Sequence, residues 1–190
     1  MAEARKPRLL VAIVACYLFV VGCSAGPGRN NVNEVYQQLR QRPDIGQAVA
    51  RYEEMLSKLY ERLAADFPAM GWQRSKDRAG ASACGFDFPG LNTADGEKRG
   101  LEAWEAKGNL PDPEWKRALV PVGEIAKGYG FEGPATIVDR PGDHKVIFKD
   151  GYAAELSFGT AVNTLLTLDT GCHLTAEAHR RGTPAATSTP

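Results

Sequence analysis

The longest amphipathic pattern in the chain begins at Ile45. Apolar side chains recur there at three- and four-residue steps, while charged side chains occupy the opposite face. The apolar positions are Ile45, Ala48, Val49, Tyr52, Met55, Leu56, Leu59, Leu63 and Phe67. Pro43 suits a first helical turn, and Phe67-Pro68 ends the pattern, so we predict a long helix between them. A shorter helix is predicted before it, over residues 33–41.

A second main helix is predicted to begin at Asp112, which can cap it, with Pro113 in the first turn. Gly128 and Gly130 end it, and Pro121 lies inside it, so we expect a kink or a break there. The inner face consists of Trp115, Leu119, Val122 and Ile125.

The C-terminal third alternates in the manner of strands. We predict strands over residues 135–140, 144–149, 153–158 and 163–170, with a two-residue hairpin turn at Asp150-Gly151. Between the two main helices we expect short strands at residues 72–76 and 83–88 and a long loop over residues 91–110. The fold class predicted is therefore α+β, with an antiparallel meander of four or more strands packed against two main helices.

The start of the chain has a different pattern. Three cations, Arg5, Lys6 and Arg8, precede the uncharged residues 9–21. Thirteen helical residues cover about 20 Å of a hydrocarbon core about 30 Å thick, which is short for a span and typical of a secretory signal. The alternatives are a core helix, disfavoured by the cationic leader, and an ordinary cleaved signal, disfavoured by the missing A-x-A pattern.

The leader ends in Val20-Val21-Gly22-Cys23, which resembles the bacterial lipobox. In proteins with that signal the Cys thiol receives a diacylglyceryl group, and the new amino terminus can receive a further chain such as palmitate. Two or three acyl chains give a stable anchor. We therefore predict a signal peptide over residues 1–22, an acylated Cys23 with a flexible tether to residue 33, one globular domain over 34–180, and a disordered tail over 181–190.

Charge limits the choice of partners. Of 190 residues, 168 remain after removal of the leader, which takes away three of 23 basic and one of 23 acidic residues and leaves a net charge of −2. The absence of a basic excess argues against a nucleic-acid partner. The partners expected are the membrane, through the lipid anchor, and an envelope protein or lipid ligand.

Four cysteines are present, and two remain after Cys16, in the leader, and Cys23 are assigned. Cys84 and Cys172 are expected to form a disulfide, since an exported protein lies in an oxidising compartment. Two free buried thiols are the alternative. A zinc site is weaker still, because neither Cys belongs to a C-x₂-C pair.

No motif carries a chemical activity. Residues 128–133 match G-x-G-x-x-G but follow a predicted helix instead of opening one, and residues 80–84 lack the last Gly of a nucleophile elbow. His144, His173 and His179 have no spaced partner and are expected to be solvated surface residues. No catalytic, cofactor-binding or metal-binding residue is predicted. Trp104, in the predicted loop, either anchors that loop or faces a partner.

The lipobox, the segment YEEMLSKLYERLAADFP, the ACGF segment and the closing LDTGCHL together resemble the mycobacterial LppA/LppB/LppV-type lipoproteins. That resemblance implies a cell-envelope lipoprotein without a defined biochemical role, with Cys23 as the lipidated residue and no catalytic residues.

From these observations we expect a non-enzymatic lipoprotein on the extracytoplasmic face of the cell membrane that binds or scaffolds. Two alternatives stay open. A lipid or glycolipid carrier would need an apolar cavity between sheet and helices, and an envelope hydrolase would need converging carboxylate or histidine groups.

Overall fold

The computed structural model describes residues 29–75, 77 and 79–186. The predicted signal peptide, Cys23 and the last four residues lie outside this part of the chain.

The described residues contain four α-helices and a short 3₁₀ turn. They are α1 (Arg29–Arg40), α2 (Ile45–Asp66), α3 (Asp112–Gly128) and α4 (Ala176–Arg181), with the 3₁₀ turn at Pro68–Met70. The two main helices are confirmed, whereas the short first helix begins earlier than the sequence pattern indicates. None of these helices has the length and apolar character that a bilayer crossing requires.

The helix starts differ from prediction in their details. Asp44 is the N-cap of α2, so Pro43 lies before the helix and not in its first turn. The Asp44 side chain accepts from the N–H of Gln47 at 2.9 Å, and the Gln47 side chain accepts from the N–H of Asp44 at 3.1 Å. Asp112 is the first residue of α3, after the N-cap Pro111, and it does not cap the helix. Pro121 causes no break, because α3 continues to Gly128 with the Pro121 ring buried in the core.

Nine strands form one sheet within the described residues. Their bounds are β1 (Gln73–Ser75), β2 (Gly80–Ala83), β3 (Gly96–Gly100), β4 (Ala103–Lys107), β5 (Glu132–Arg140), β6 (Asp143–Lys149), β7 (Glu155–Thr160), β8 (Asn163–Asp169) and β9 (His173–Leu174). The main order is β1-β4-β8-β7-β6-β5, and β3 pairs with β2, β8 and β9. All the pairs are antiparallel. The predicted C-terminal meander is confirmed as β5 to β8.

The long loop predicted over residues 91–110 is wrong. Strands β3 and β4 lie there, and β4 is an internal strand between β1 and β8, with Trp104 opposite Leu166. The polar, glycine-rich sequence does not predict these strands, because their place in the sheet depends on pairing with segments far away in the chain. The strand predicted at 83–88 is also misplaced: β2 ends at Ala83, and a turn follows in which the N–H groups of Asp87 and Phe88 donate to the carbonyl of Cys84.

The turn predicted at Asp150-Gly151 is wider than two residues. Lys149 pairs with Glu155, which leaves residues 150–154 as the connection. The Asp150 side chain organises this loop, since it accepts hydrogen bonds from the N–H groups of Tyr152 and Ala154 at 2.8 and 2.9 Å. A side chain thus replaces the tight backbone turn that the Asp-Gly pair indicates.

Two buried clusters hold the domain together. In the larger one, α2 and α3 pack on the inner face of the sheet, and their side chains fill the space between the helices and β6 to β8. The smaller one joins α1 and α4 to the end of the sheet; it comprises Tyr36, Leu39, Cys84, Leu91, Cys172, Leu174 and Ala178. The predicted disulfide Cys84–Cys172 is confirmed in this cluster, with a Cα–Cα distance of 5.7 Å.

The chain beyond residue 180 continues to contact the domain. Arg181 in α4 forms an ion pair with the fully buried Asp95. The same carboxylate accepts a hydrogen bond from the N–H of Ala185 at 2.8 Å. The part of the predicted tail at residues 187–190 lies outside the described residues.

Candidate functional site

Two of the three histidines are buried, so the expectation of solvated surface residues is wrong for His144 and His173. His144 is 6% exposed and His173 is fully buried. Nε2 of the half-buried His179 lies 2.9 Å from the carbonyl oxygen of Arg40. The reason is tertiary: each ring is covered by an element that is distant in sequence.

His144 is the most promising of the three for acid–base chemistry. Its Nδ1 lies 2.8 Å from Oδ1 of Asp139, its Nε2 lies 3.1 Å from Oδ1 of Asp112, and its ring stacks on Trp115. A hydrogen bond from the N–H of Gly142 and the contact with His144 lower the pKa of Asp112. Both imidazole nitrogens therefore face carboxylates, and neither is left to exchange a proton with a substrate. The cluster ties the β5–β6 hairpin to the start of α3.

The remaining sequence motifs are structural. Residues 128–133 leave α3 and enter β5, so no helix N-terminus is available there for a phosphate. Residues 80–83 form β2, and no helix follows them. Trp104 lies on β4, where its ring stacks on Tyr60 at a centroid distance of 3.8 Å. The anchoring role is therefore the one that its contacts support. Among the described residues, no group of His, Cys, Asp or Glu is arranged to hold a metal ion.

A cavity lies beside the disulfide, and we call it the Arg42 pocket. Its volume is about 470 Å³. Four segments meet there: the linker between α1 and α2, the turn after β2, the β6–β7 loop and the chain after β8. The side chains that define it are Arg42, Asp87, Phe88, Lys98, Tyr152 and Cys172.

Arg42 is the central group of this pocket. Its Nη1 donates to the carbonyl oxygens of Tyr152 and Cys172 at 3.1 and 3.0 Å. The guanidinium carbon lies 5.5 Å from the ring centroids of both Phe88 and Tyr152. Within the described residues, Nε and Nη2 make no hydrogen bond. Burial lowers the pKa of Arg42 from its usual value, but an arginine keeps its charge in such a site.

The charged neighbours of Arg42 are already engaged. Asp150, whose charge favours the protonated guanidinium, accepts from the hydroxyl of Tyr52 and from two backbone N–H groups. Asp87 forms an ion pair with Lys98 at 2.9 Å. In the part of the chain that the structure describes, Arg42 has no carboxylate within ion-pair distance. The pocket therefore contains a cation without an anionic partner.

The wall of the pocket is held in a constrained backbone conformation. Ala153 has a φ of +66°, which is unusual for a residue with a side chain. Gly171 approaches the β6–β7 loop so closely that a Cβ there would lie 1.8 Å from the carbonyl oxygen of Tyr152. A side chain at position 171 would therefore collide with the β6–β7 loop, beside the two carbonyl groups that accept from Arg42.

Sequence reasoning missed this pocket entirely. Arg42 is one of two arginines near the end of α1, and no spacing or motif distinguishes it from Arg40. Only the packing of four distant segments around it provides the signal.

Comparison with known proteins gives a consistent result. Residues 23–176 match the model of a family described as LppA, a lipoprotein confined to pathogenic Mycobacterium. No curated protein matches the sequence. The fold is similar to the crystal structure of LppA from Mycobacterium tuberculosis, with a TM-score of 0.65 and 16% identity over 83% of this chain and 92% of that one. It is also similar to a DUF4853 family protein from Actinomyces odontolyticus, with a TM-score of 0.52 and 14% identity over 71% of each chain.

Proposed function

The chain belongs to the LppA family of lipoproteins, and from that premise we propose that it is exported and held by an acylated Cys23 on the extracytoplasmic face of the cell membrane. There the folded domain acts as a binding module for an envelope ligand or partner.

The observation that carries this proposal is where the family match begins. It starts at Cys23, the residue that follows the apolar leader and the lipobox-like sequence. The match therefore leaves out the 22 residues that a signal peptidase would remove. The disulfide agrees with export, since bridges of this kind persist in oxidising compartments.

A binding role has more support than the two alternatives. A lipid carrier needs an apolar cavity between sheet and helices, and buried side chains of the larger cluster occupy that space. A hydrolase needs a free acid–base pair, and both nitrogens of His144 are engaged by carboxylates. The Arg42 pocket, in contrast, is open and contains an arginine with unused donors.

The anchor can be tested by acyl labelling in a mycobacterial host. The wild-type protein should incorporate an alkyne-tagged fatty acid, enter the detergent phase on phase separation and lack residues 1–22 by mass spectrometry. Cys23→Ser should lose the label, because serine cannot form the thioether, and should retain the leader.

The matched control is Cys16→Ser, which removes the other leader thiol and should keep full labelling. Unchanged labelling of Cys23→Ser, or an intact leader on the wild-type product, would contradict the proposal.

A further inference from the structure

We propose that the Arg42 pocket binds a small organic anion, with its carboxylate or phosphate on the guanidinium of Arg42 and its apolar part against Phe88 and Tyr152. This inference rests on the proposed binding role, but it does not depend on the lipid anchor.

Arg42 has unused hydrogen-bonding capacity. A guanidinium carries five N–H donors. Two backbone carbonyls accept from Nη1, which leaves the donors on Nε and Nη2 without an acceptor in the described residues. The edge formed by Nε and Nη2 matches two oxygens of a carboxylate or phosphate, and such bidentate pairs are among the stronger hydrogen bonds.

Arg42 is already oriented before any ligand binds. The rings of Phe88 and Tyr152 lie at equal distances from the guanidinium carbon, and the two carbonyls restrain its remaining rotation. A ligand therefore does not have to order a flexible side chain, and this ordering is one of the main costs of binding.

Neighbouring charges limit the ligand to a single anionic group. Lys98 and Arg99 line the pocket, but ion pairs with Asp87 and Glu97 engage them. Glu155 and Asp169 also line it and would repel a polyanion. The volume of about 470 Å³ suits a small organic molecule.

The disulfide contributes to the construction of the pocket. Cys84 begins the turn that contains Phe88, and Cys172 supplies one of the carbonyls that hold Arg42. The disulfide joins these two segments and therefore fixes the position of the Phe88 ring relative to the guanidinium of Arg42.

The test is a calorimetric titration of the full-length protein in nonionic detergent. The probes are benzoate and phenyl phosphate, with benzyl alcohol and benzylamine as neutral and cationic analogues and with acetate and inorganic phosphate as anions lacking the ring. We expect benzoate or phenyl phosphate to bind at least about tenfold more tightly than the other four, a factor that corresponds to about 1.4 kcal/mol. Tighter binding of benzoate would indicate a carboxylate site, and tighter binding of phenyl phosphate would indicate a phosphate site.

Arg42→Lys should weaken binding of the preferred probe by at least about tenfold, because lysine lacks the planar fork. The matched control is Arg117→Lys. Arg117 also lies over an aromatic ring, that of Phe67 at 5.3 Å, but it is not part of the pocket, and its variant should bind like the wild type. Absence of binding by the wild type, equal binding of benzyl alcohol, or an unchanged affinity of Arg42→Lys would overturn the proposal.

A second measurement needs no variant and decides the matter if Arg42→Lys does not fold. An arginine-specific dicarbonyl reagent is applied to the wild type, and modified peptides are quantified by mass spectrometry. The preferred anionic probe should slow modification of Arg42 several-fold and leave that of Arg117 unchanged; equal rates at Arg42 with and without the probe would overturn the proposal. Loss of acyl labelling at Cys23 would leave both measurements unaffected, so the two proposals fail separately.

Discussion

At the scale of single residues, the buried His173 shows how the fold changes the pKa of a polar side chain. His173 is fully buried on β9, and its Nδ1 lies 2.9 Å from the carbonyl oxygen of Pro43, while Nε2 has no hydrogen-bond partner among the described residues. Burial lowers the pKa of His173, and the charge of Arg42 adds to the shift, whereas the Pro43 carbonyl, Asp150 and Asp44 oppose it. The ring is therefore held in its neutral form.

The lowered pKa of His173 predicts that the folded protein loses stability in acid. Below about pH 6.5, the usual pKa of histidine, the unfolded chain binds a proton that the native chain does not, so the free energy of unfolding falls as the pH drops from 7 towards 5. His173→Asn should make the free energy of unfolding depend less steeply on pH. Near pH 6 the slope should fall by up to about 1.4 kcal/mol per pH unit, the limit for one proton. Urea unfolding at several pH values measures it.

The control for this prediction is Tyr152→Phe, which keeps the ring that contacts His173 edge-on at 5.6 Å. This variant should retain the wild-type slope. An identical slope in His173→Asn and the wild type would show that other groups cause the acid sensitivity.

At the scale of elements, local periodicity predicted the two main helices but not the details of their starts or the position of every strand. The sequence pattern assigned Pro43 to the first turn of α2, whereas Asp44 caps this helix in a capping box with Gln47. Strands β3 and β4 were not predicted, because only β2 and β1 pair with them from nearby, while their partners in β8 and β9 lie 56 to 78 residues further along the chain. Strand β5 lies at the edge of the sheet. It contains Pro134 and two register shifts against β6, features that protect an edge strand from pairing with another chain.

The capping box leads to a prediction about α2. Asp44→Ala removes the acceptor for the N–H of Gln47 and should lower the free energy of unfolding by about 1 kcal/mol. Asp44→Asn keeps a side-chain oxygen and should lose much less. Chemical denaturation of both variants at pH 7 measures the difference, and equal losses would mean that charge, not the hydrogen bond, matters at this position.

At the scale of the whole molecule, the disulfide joins two distant segments of the chain within the smaller of the two buried clusters. The larger cluster lies between α2, α3 and the sheet, and the smaller one surrounds the bridge together with α1 and α4. The disulfide spans 88 residues of sequence, so it removes much of the freedom of the unfolded chain.

Replacing both Cys84 and Cys172 by Ala should therefore destabilise the domain by about 4 to 5 kcal/mol in the chain-entropy account. The midpoint of urea unfolding at neutral pH measures this loss. Reductant should lower the midpoint of the wild type and leave that of the double variant unchanged. A double variant as stable as the oxidised wild type would show that packing of the smaller cluster suffices without the bridge.

The two main helices and the C-terminal meander could be predicted from local periodicity, which requires no knowledge of distant contacts. The pairing of Cys84 with Cys172 could be predicted once Cys16 and Cys23 were assigned to an export signal. The packed fold was needed to show that β3 and β4 join the sheet, that His144 lies between two carboxylates and that Arg42 lies in a pocket. Those features depend on side chains from segments far apart in the chain, and the sequence pattern does not indicate which distant groups come into contact.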